Sequence, residues 1–285
     1  MHIVAGKIFK KRFGKRALSP VISTVILTGA IVALLSVTLI FANGILWSKI
    51  AESDFNSARQ FMQTVGLTID DVAWEVGRTE TIRYSSRDGE VNIESLTLNY
   101  TVYVETDGNG THQFSYETGV LLFNVPVSKY SLTNGYWEPI FPSQSDTLTL
   151  KGTSAPVTRV FAVQKSPMYD GSYIRVVVAP SIRFMNSTIT TSGSTYYAKL
   201  YLPVLTLGSA PRRSQAVTLS GNSRKAHTIS GVTKINVTVS FTKEDFDNSF
   251  FNFPNTSEEI AIPPGYNDAV FEFYVGGVTV DFGLE

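Results

Sequence analysis

Cysteine is absent from the 285 residues, and its absence removes disulfide frameworks, thiolate nucleophiles and cysteine-ligated zinc from consideration. Histidine is almost as scarce. Of the three, His2 lies in the basic N-terminal stretch, and His112 and His227 stand in strand or turn settings without a nucleophile or carboxylate signature beside them. Charge is missing from Ala17 through Ser48, a run of 32 residues, whereas about 20 apolar residues suffice to cross a hydrocarbon core. A long amphipathic period is missing after residue 77. Thiol and metal chemistry and an extracellular hydrolase are disfavoured, no cofactor is implied, and an apolar span leads into a strand-rich body.

The uncharged run reads ALSPVISTVILTGAIVALLSVTLIFANGILWS and follows six cationic side chains, Lys7, Lys10, Lys11, Arg12, Lys15 and Arg16, with no acidic residue among the first 17. Cationic flanks stay on the cytoplasmic side, which places everything after Trp47 outside. Three readings compete. A secretory signal has an apolar core of about 7 to 15 residues, roughly half the length present. An uncleaved signal anchor fits the length and the flank. The third reading rests on the junction Lys15-Arg16-Ala17-Leu18-Ser19-Pro20-Val21-Ile22, which resembles the class III signal peptide of archaeal type IV pilin-like proteins. The resemblance implies cutting by a prepilin peptidase after Arg16 and Ala17, with Leu18 as the first mature residue. It also implies a long helix carrying a β-rich head. One departure from bacterial pilins is Ile22, where those proteins usually carry a glutamate and the archaeal branch generally does not. The resemblance is specific over residues 15 to 47 and general beyond.

Removing residues 1 to 17 leaves 18 basic against 24 acidic side chains. A net negative exterior argues against nucleic acid as a partner, because that affinity rests on cationic neutralisation of phosphate. Ser19 suits an N-cap and Pro20 the first helical turn, so the helix is expected to begin at the junction. Gly29, Ala30 and Ala33, among other small residues, would let apolar helices approach closely; a plain lipid-facing span also tolerates them. Beyond Trp47, Phe55, Ala58, Met62, Val65, Ile69, Val72 and Val76 recur at alternating spacings of three and four, one stripe of a helix. The segments are a leader (1–17), an apolar helix (18–48), an amphipathic extension (49–78) and a head (79–285). A bend at Asn43-Gly44 is the alternative to one continuous helix, and Gly66 and Gly77 are further break points.

From Thr79 the period becomes two. Val91, Ile93, Leu96, Leu98, Tyr100, Val102 and Val104 alternate with one slip between Ile93 and Leu96, the mark of a bulge. Further strands are expected at 112–117, 120–127, 146–151, 157–164, 172–178, 181–190, 195–207, 215–220, 234–242, 269–275 and 278–282. Gly276-Gly277 reads as a hairpin turn between the last two. The fold class is therefore α+β: a long N-terminal hydrophobic then amphipathic helix, followed by an all-β, sandwich-like head.

Residues 128–145 gather Tyr130, Tyr136, Trp137 and Phe141, as a binding surface or as the roof of a β core. Arg212, Arg213, Arg224 and Lys225 form a basic patch, either paired with an acidic neighbour or solvated. Glu244, Asp245, Asp247 and Asn248 bring together oxygen ligands suited to calcium, but the spacing is not that of an EF-hand and reads better as a polar turn. Five sequons, at Asn99, Asn109, Asn186, Asn236 and Asn255, are candidate glycosylation sites, against about 3 from composition alone. The expected function is a non-enzymatic, membrane-inserted precursor of a cell-surface filament subunit. Its partners would be a prepilin peptidase, the membrane, and copies of itself or other pilin subunits through the N-terminal helix. The alternative is a membrane-anchored extracellular β-domain binding protein that does not polymerise.

Overall fold

A computed structural model describes residues 20–85, 88–108, 110–143, 146–190, 194–209 and 215–283, with Pro20 by its backbone alone. The chain divides into two compact units, Met1–Lys49 and Ile50–Glu285. Helix α1, Pro20–Ala73, is unbroken and supplies residues to both. Asn43-Gly44 and Gly66 are helical, so neither breaks the element; a single glycine costs only about 1 kcal/mol there. In the first unit Val21 through Trp47 are exposed, and the helix is long and apolar enough to cross a membrane. It is a candidate membrane span or signal anchor.

In the second unit the expected stripe on α1 is buried from Phe55 to Val72, with Met62, Ile69 and Val72 fully enclosed. Val76 is the exception, 64% exposed, because α1 has already ended at Ala73. The exit turns at Gly77, whose φ of 88° is left-handed and suits glycine. The exit is then bonded by Gly77 N–H to the Gly221 carbonyl at 2.8 Å and by Gly221 N–H to the Arg78 carbonyl at 2.9 Å.

The head is built of two sheets. The first has the order β1 (Thr79–Arg83), β10 (Ala216–Ser230), β13 (Asp268–Phe282), β9 (Thr195–Leu207), β8 (Arg183–Ile189) and β5 (Leu150–Lys151). The second runs β12 (Ser257–Ala261), β11 (Val232–Phe241), β2 (Glu90–Thr106), β3 (Thr111–Pro126), β7 (Tyr173–Pro180), β6 (Thr158–Gln164) and β4 (Tyr136–Phe141). Most pairs are antiparallel; β13 with β9 and β5 with β8 are parallel. A one-turn helix, α2 (Asn248–Phe251), follows β11. The α+β class is as the alternating patterns indicate.

Two cores result. One joins the sheets through Leu98, Tyr100, Val102, Leu200, Phe271 and Phe273. The other sets the α1 stripe against Leu121, Phe123, Val176 and Val178 of the second sheet and Leu219, Val278 and Val280 of the first. Successive side chains on a strand point to opposite faces, and the long strands use both. On β13, Phe271, Phe273 and Val275 belong to the inter-sheet core, whereas Val278, Val280 and Phe282 belong to the helix core.

That change of core occurs at Gly276-Gly277, where a hairpin was expected and one continuous strand is found. The glycines are there for close approach: a Cβ on Gly276 would lie 2.2 Å from the Ala73 carbonyl oxygen, and one on Gly221 2.4 Å from that of Glu75. The bulge in β2 is present. Its register with β3 shifts between Glu94 and Leu98, and Leu96 takes φ 53°. Other boundaries differ. The expected strands 112–117 and 120–127 are one element, β3, with Gly119 opposite that bulge. The strand expected at 215–220 continues to Ser230 despite its polar outer face, because β13 pairs with it throughout. The segment 146–151 shrinks to Leu150–Lys151. β12 and β4 arise where no strand was expected, since edge strands held on one side need little alternation.

Candidate functional site

The feature that calls for a functional account is the exposed face of α1. Ile40 is 74% exposed, Phe41 70% and Val21 69%, and a contiguous apolar surface of this size needs cover from lipid or protein. Three of its hydroxyls are satisfied within the helix itself. Thr24 donates to the Val21 carbonyl at 2.9 Å, Ser36 to Val32 and Thr38 to Leu34, both at 2.8 Å. Hydroxyls bonded back into the helix present no unpaired donor to hydrocarbon. Gly29 and Ala33 are four residues apart and therefore share a face, with Ala30 beside them. Nothing lies within 4 Å of a Cβ built on Gly29 or Gly44. Pro20 opens the helix. The proposed processing residues Arg16, Ala17 and Leu18 lie outside the described residues, as does the sequon Asn109.

The other sequons divide by setting. Asn186 on β8 and Asn255 after α2 are exposed. Asn99 and Asn236 are half-buried on the outer, polar face of the second sheet, where Ser115 donates to Asn99 Oδ1 at 2.8 Å and Ser257 to Asn236 Oδ1 at 3.1 Å. Asn255 alone of the four stands outside a strand.

The aromatic segment 128–145 is shared between the cores. Tyr130, Tyr136 and Phe141 pack on the helix core, Tyr130 with its ring centroid 5.0 Å from that of Phe55. Trp137 stacks on Phe161 at 5.7 Å and joins the inter-sheet core. Glu138 between them receives Arg59 from α1 at 2.7 Å and the Tyr136 hydroxyl. Burial would raise the Glu138 pKa, but the bonds from Tyr136 and Arg59 outweigh it and hold the carboxyl low. Burial and the adjoining carboxylate push Tyr136 up to about 12. A second tie runs from Arg183 on β8 to Asp70 at 2.9 Å, and Asp70 also accepts from Trp74 Nε1. Sequence patterns had singled out none of Arg59, Glu138, Asp70 or Arg183, because each reads as an ordinary surface charge until the partner element is placed beside it.

The acidic cluster is structural. Asp247 caps α2, accepting from Ser249 and Phe250 N–H and pairing with Lys165 at 3.1 Å. Those contacts, the Ser249 hydrogen bond foremost, lower its pKa. Asp245 accepts from Tyr169 N–H, and Asn248 bonds both backbone atoms of Phe253. Among the described residues no group of three or more histidine or acidic side chains is placed to hold a metal. Of the basic patch, Arg224 and Lys225 are exposed on β10 and lie over the rings of Tyr274 and Tyr116, at 5.5 and 5.8 Å; Arg212 and Arg213 lie outside the described residues. His227 Nε2 shares a 2.7 Å hydrogen bond with the Tyr116 hydroxyl, inside an aromatic cluster with Phe114 and Phe273. No family model, curated protein or solved structure matches the chain.

Proposed function

We propose that the chain is the precursor of a non-enzymatic cell-surface filament subunit of the type IV pilin kind. A prepilin peptidase cuts between Ala17 and Leu18, and the freed helix leaves the bilayer to bundle with other copies or other pilin subunits. The head, outside the cell, makes contact with surroundings. The observation that carries this reading is the exposed, uncharged helix surface of Val21 to Trp47, with the Thr24, Ser36 and Thr38 hydroxyls bonded inward. Such a surface is stable in lipid and equally stable among identical helices. The junction resembling class III signal peptides supports the cut, because six cationic side chains left on the helix would hold it at the cytoplasmic face.

The test is coexpression with an archaeal prepilin peptidase, followed by N-terminal sequencing and electron microscopy of sheared material. A mature chain starting at Leu18 in lipid-poor filaments is expected. An intact start at Met1 or His2 would reject the processing. A correctly cut chain found only as a detergent-soluble monomer would instead support a membrane-anchored binding protein.

A further inference from the structure

We propose that a cavity on the head, lined from β4, β6 and the turn after α2, binds a pyranose ring of a neutral glycan. Its volume is about 560 Å³, within the usual size of small-ligand sites. Trp137 and Phe141 line it half-exposed, with the buried rings of Phe161 and Phe251 behind them. Aromatic faces carry negative potential and so attract the positively polarised C–H face of a sugar. The hydroxyl edge of that sugar then needs both donors and acceptors.

The cavity supplies both. Arg159 is fixed from three sides. Its Nε donates to Ser181 Oγ at 3.2 Å, its Nη2 to the carbonyls of Thr147 and Leu148 at 2.6 and 3.0 Å, and its guanidinium carbon sits 5.3 Å from the centre of the Phe253 ring. Its Nη1 makes no hydrogen bond among the described residues and stands as a pre-aimed donor on the lining. Asp146, an exposed acceptor, and Asn252, which offers both roles, also line the cavity, and neither side chain is bonded among the described residues. Asn252 is held rigidly: it takes a left-handed φ of 53° between Phe251 and Phe253, which are 2% and 3% exposed.

The donor and acceptor set separates a glycan from other ligands. Arg159 and Asp146 cancel in charge, which favours a neutral polyhydroxylated molecule. A proline-rich peptide presents carbonyl acceptors almost alone, so it would leave Asp146 facing oxygen. Strand addition is blocked, because β4 is the sheet edge and Pro139 with Pro142 lacks the N–H groups a ladder needs. The proposal concerns the head and holds whether or not the chain polymerises.

The test uses the full chain, made in a host that does not glycosylate it because Asn255 adjoins the lining residue Pro254. The chain is held in a detergent without a sugar headgroup and screened on an array of neutral and acidic oligosaccharides. The methyl glycoside of the best-retained terminal sugar is then titrated by calorimetry. Saturable binding of a neutral glycoside is expected, weakened at least fivefold by Asp146→Ala and by Asn252→Gly, with unchanged melting. Glycine keeps the left-handed backbone at position 252, so this variant removes the amide without unfolding the turn. Silence of the folded protein across the array would overturn the proposal. So would retention of acidic glycans alone, binding indifferent to both variants, or tighter binding of a proline decamer that both variants weaken.

Discussion

Arg59 on α1 donates to Glu138 on β4 at 2.7 Å, a contact that joins residues 79 positions apart and ties the amphipathic half of the helix to the edge of the second sheet. The Tyr136 hydroxyl takes the other carboxylate oxygen, so helix, strand and aromatic segment meet at one carboxylate.

This carboxylate predicts an acid-side loss of stability. The Glu138 pKa is lowered in the folded chain, so its contribution is fully present above the unfolded value, about 4.3, and disappears as pH falls through the folded value. Its side chain is 36% exposed, and partly exposed pairs of this kind contribute about 0.2–1 kcal/mol. Glu138→Gln is therefore expected to melt slightly below the parent at pH 6 and to converge with it as pH falls through the carboxyl's lowered folded value. Tyr136 acts in the opposite sense: its pKa is raised to about 12, so its share is present below the unfolded value near 10 and is lost as pH rises through 12. A constant gap between parent and Glu138→Gln across the acid range would show that the carboxylate is not the titrating group.

The glycines predict contrasting costs. Gly276→Ala drives a methyl to within 2.2 Å of the Ala73 carbonyl oxygen, a backbone atom that moves only with the helix. An expense of about 1–3 kcal/mol, typical of overpacking, is expected in thermal melts of the detergent-solubilised full chain. Gly29→Ala meets nothing within 4 Å and gains helix propensity, so its melt should match or exceed that of the parent. Equal melts for the two variants would mean that α1 does not end against β13.

Much of the fold was legible in the sequence because its signals are local. The three-four spacing from Phe55 to Val72 identified the buried face of α1, and the slip between Ile93 and Leu96 located the bulge in β2. What was hidden depends on contacts distant in sequence. Gly276-Gly277 has the composition of a turn, yet it is the seat of a helix terminus, and only the presence of Ala73 above it distinguishes the two. Half of β10 looked too polar for a strand, since Asn222 to Ala226 face solvent and their pairing partner supplies the order. The aromatic residues at 128–145 were visible as a cluster. Arg159 and Asn252, which complete the cavity beside them, come from strands and turns far along the chain and carry no spacing signal.

The helix core predicts a position-specific charge penalty. Ile69 is fully buried and Leu67 is 46% exposed on the same stretch of α1. Ile69→Asp places an unpaired carboxylate among Val176, Val178 and their neighbours and is expected to cost about 3–5 kcal/mol. Leu67→Asp should change the head by less than about 0.5 kcal/mol. Denaturant titration of the full chain distinguishes them, and equal midpoints would mean that the stripe from Phe55 to Val72 is not the docked face.

The exposed half of α1 decides between filament and anchor, and its small residues supply the lever. In a bilayer, Gly29 and Ala33 face lipid tails that adapt to any side-chain volume, so Gly29→Leu and Ala33→Phe should insert as well as the parent. In a bundle the same positions set how closely helices approach, and close approach supplies the dispersion contacts that replace lipid. The two variants are therefore expected to lower the yield of sheared filaments severalfold while leaving membrane fractions, cleavage at Leu18 and head melting unchanged. A bulky residue at Ala17, such as Ala17→Phe, should act earlier. On the proposed function the uncut leader would keep six cationic groups at the cytoplasmic face, and those charges cannot follow the helix through hydrocarbon, so that variant should stay in the membrane fraction at full length. Electron microscopy of sheared material, scored beside N-terminal sequencing, separates the two blocks. If all three variants behave like the parent, and the parent is found only as a monomer in detergent, α1 is an anchor and the head works alone.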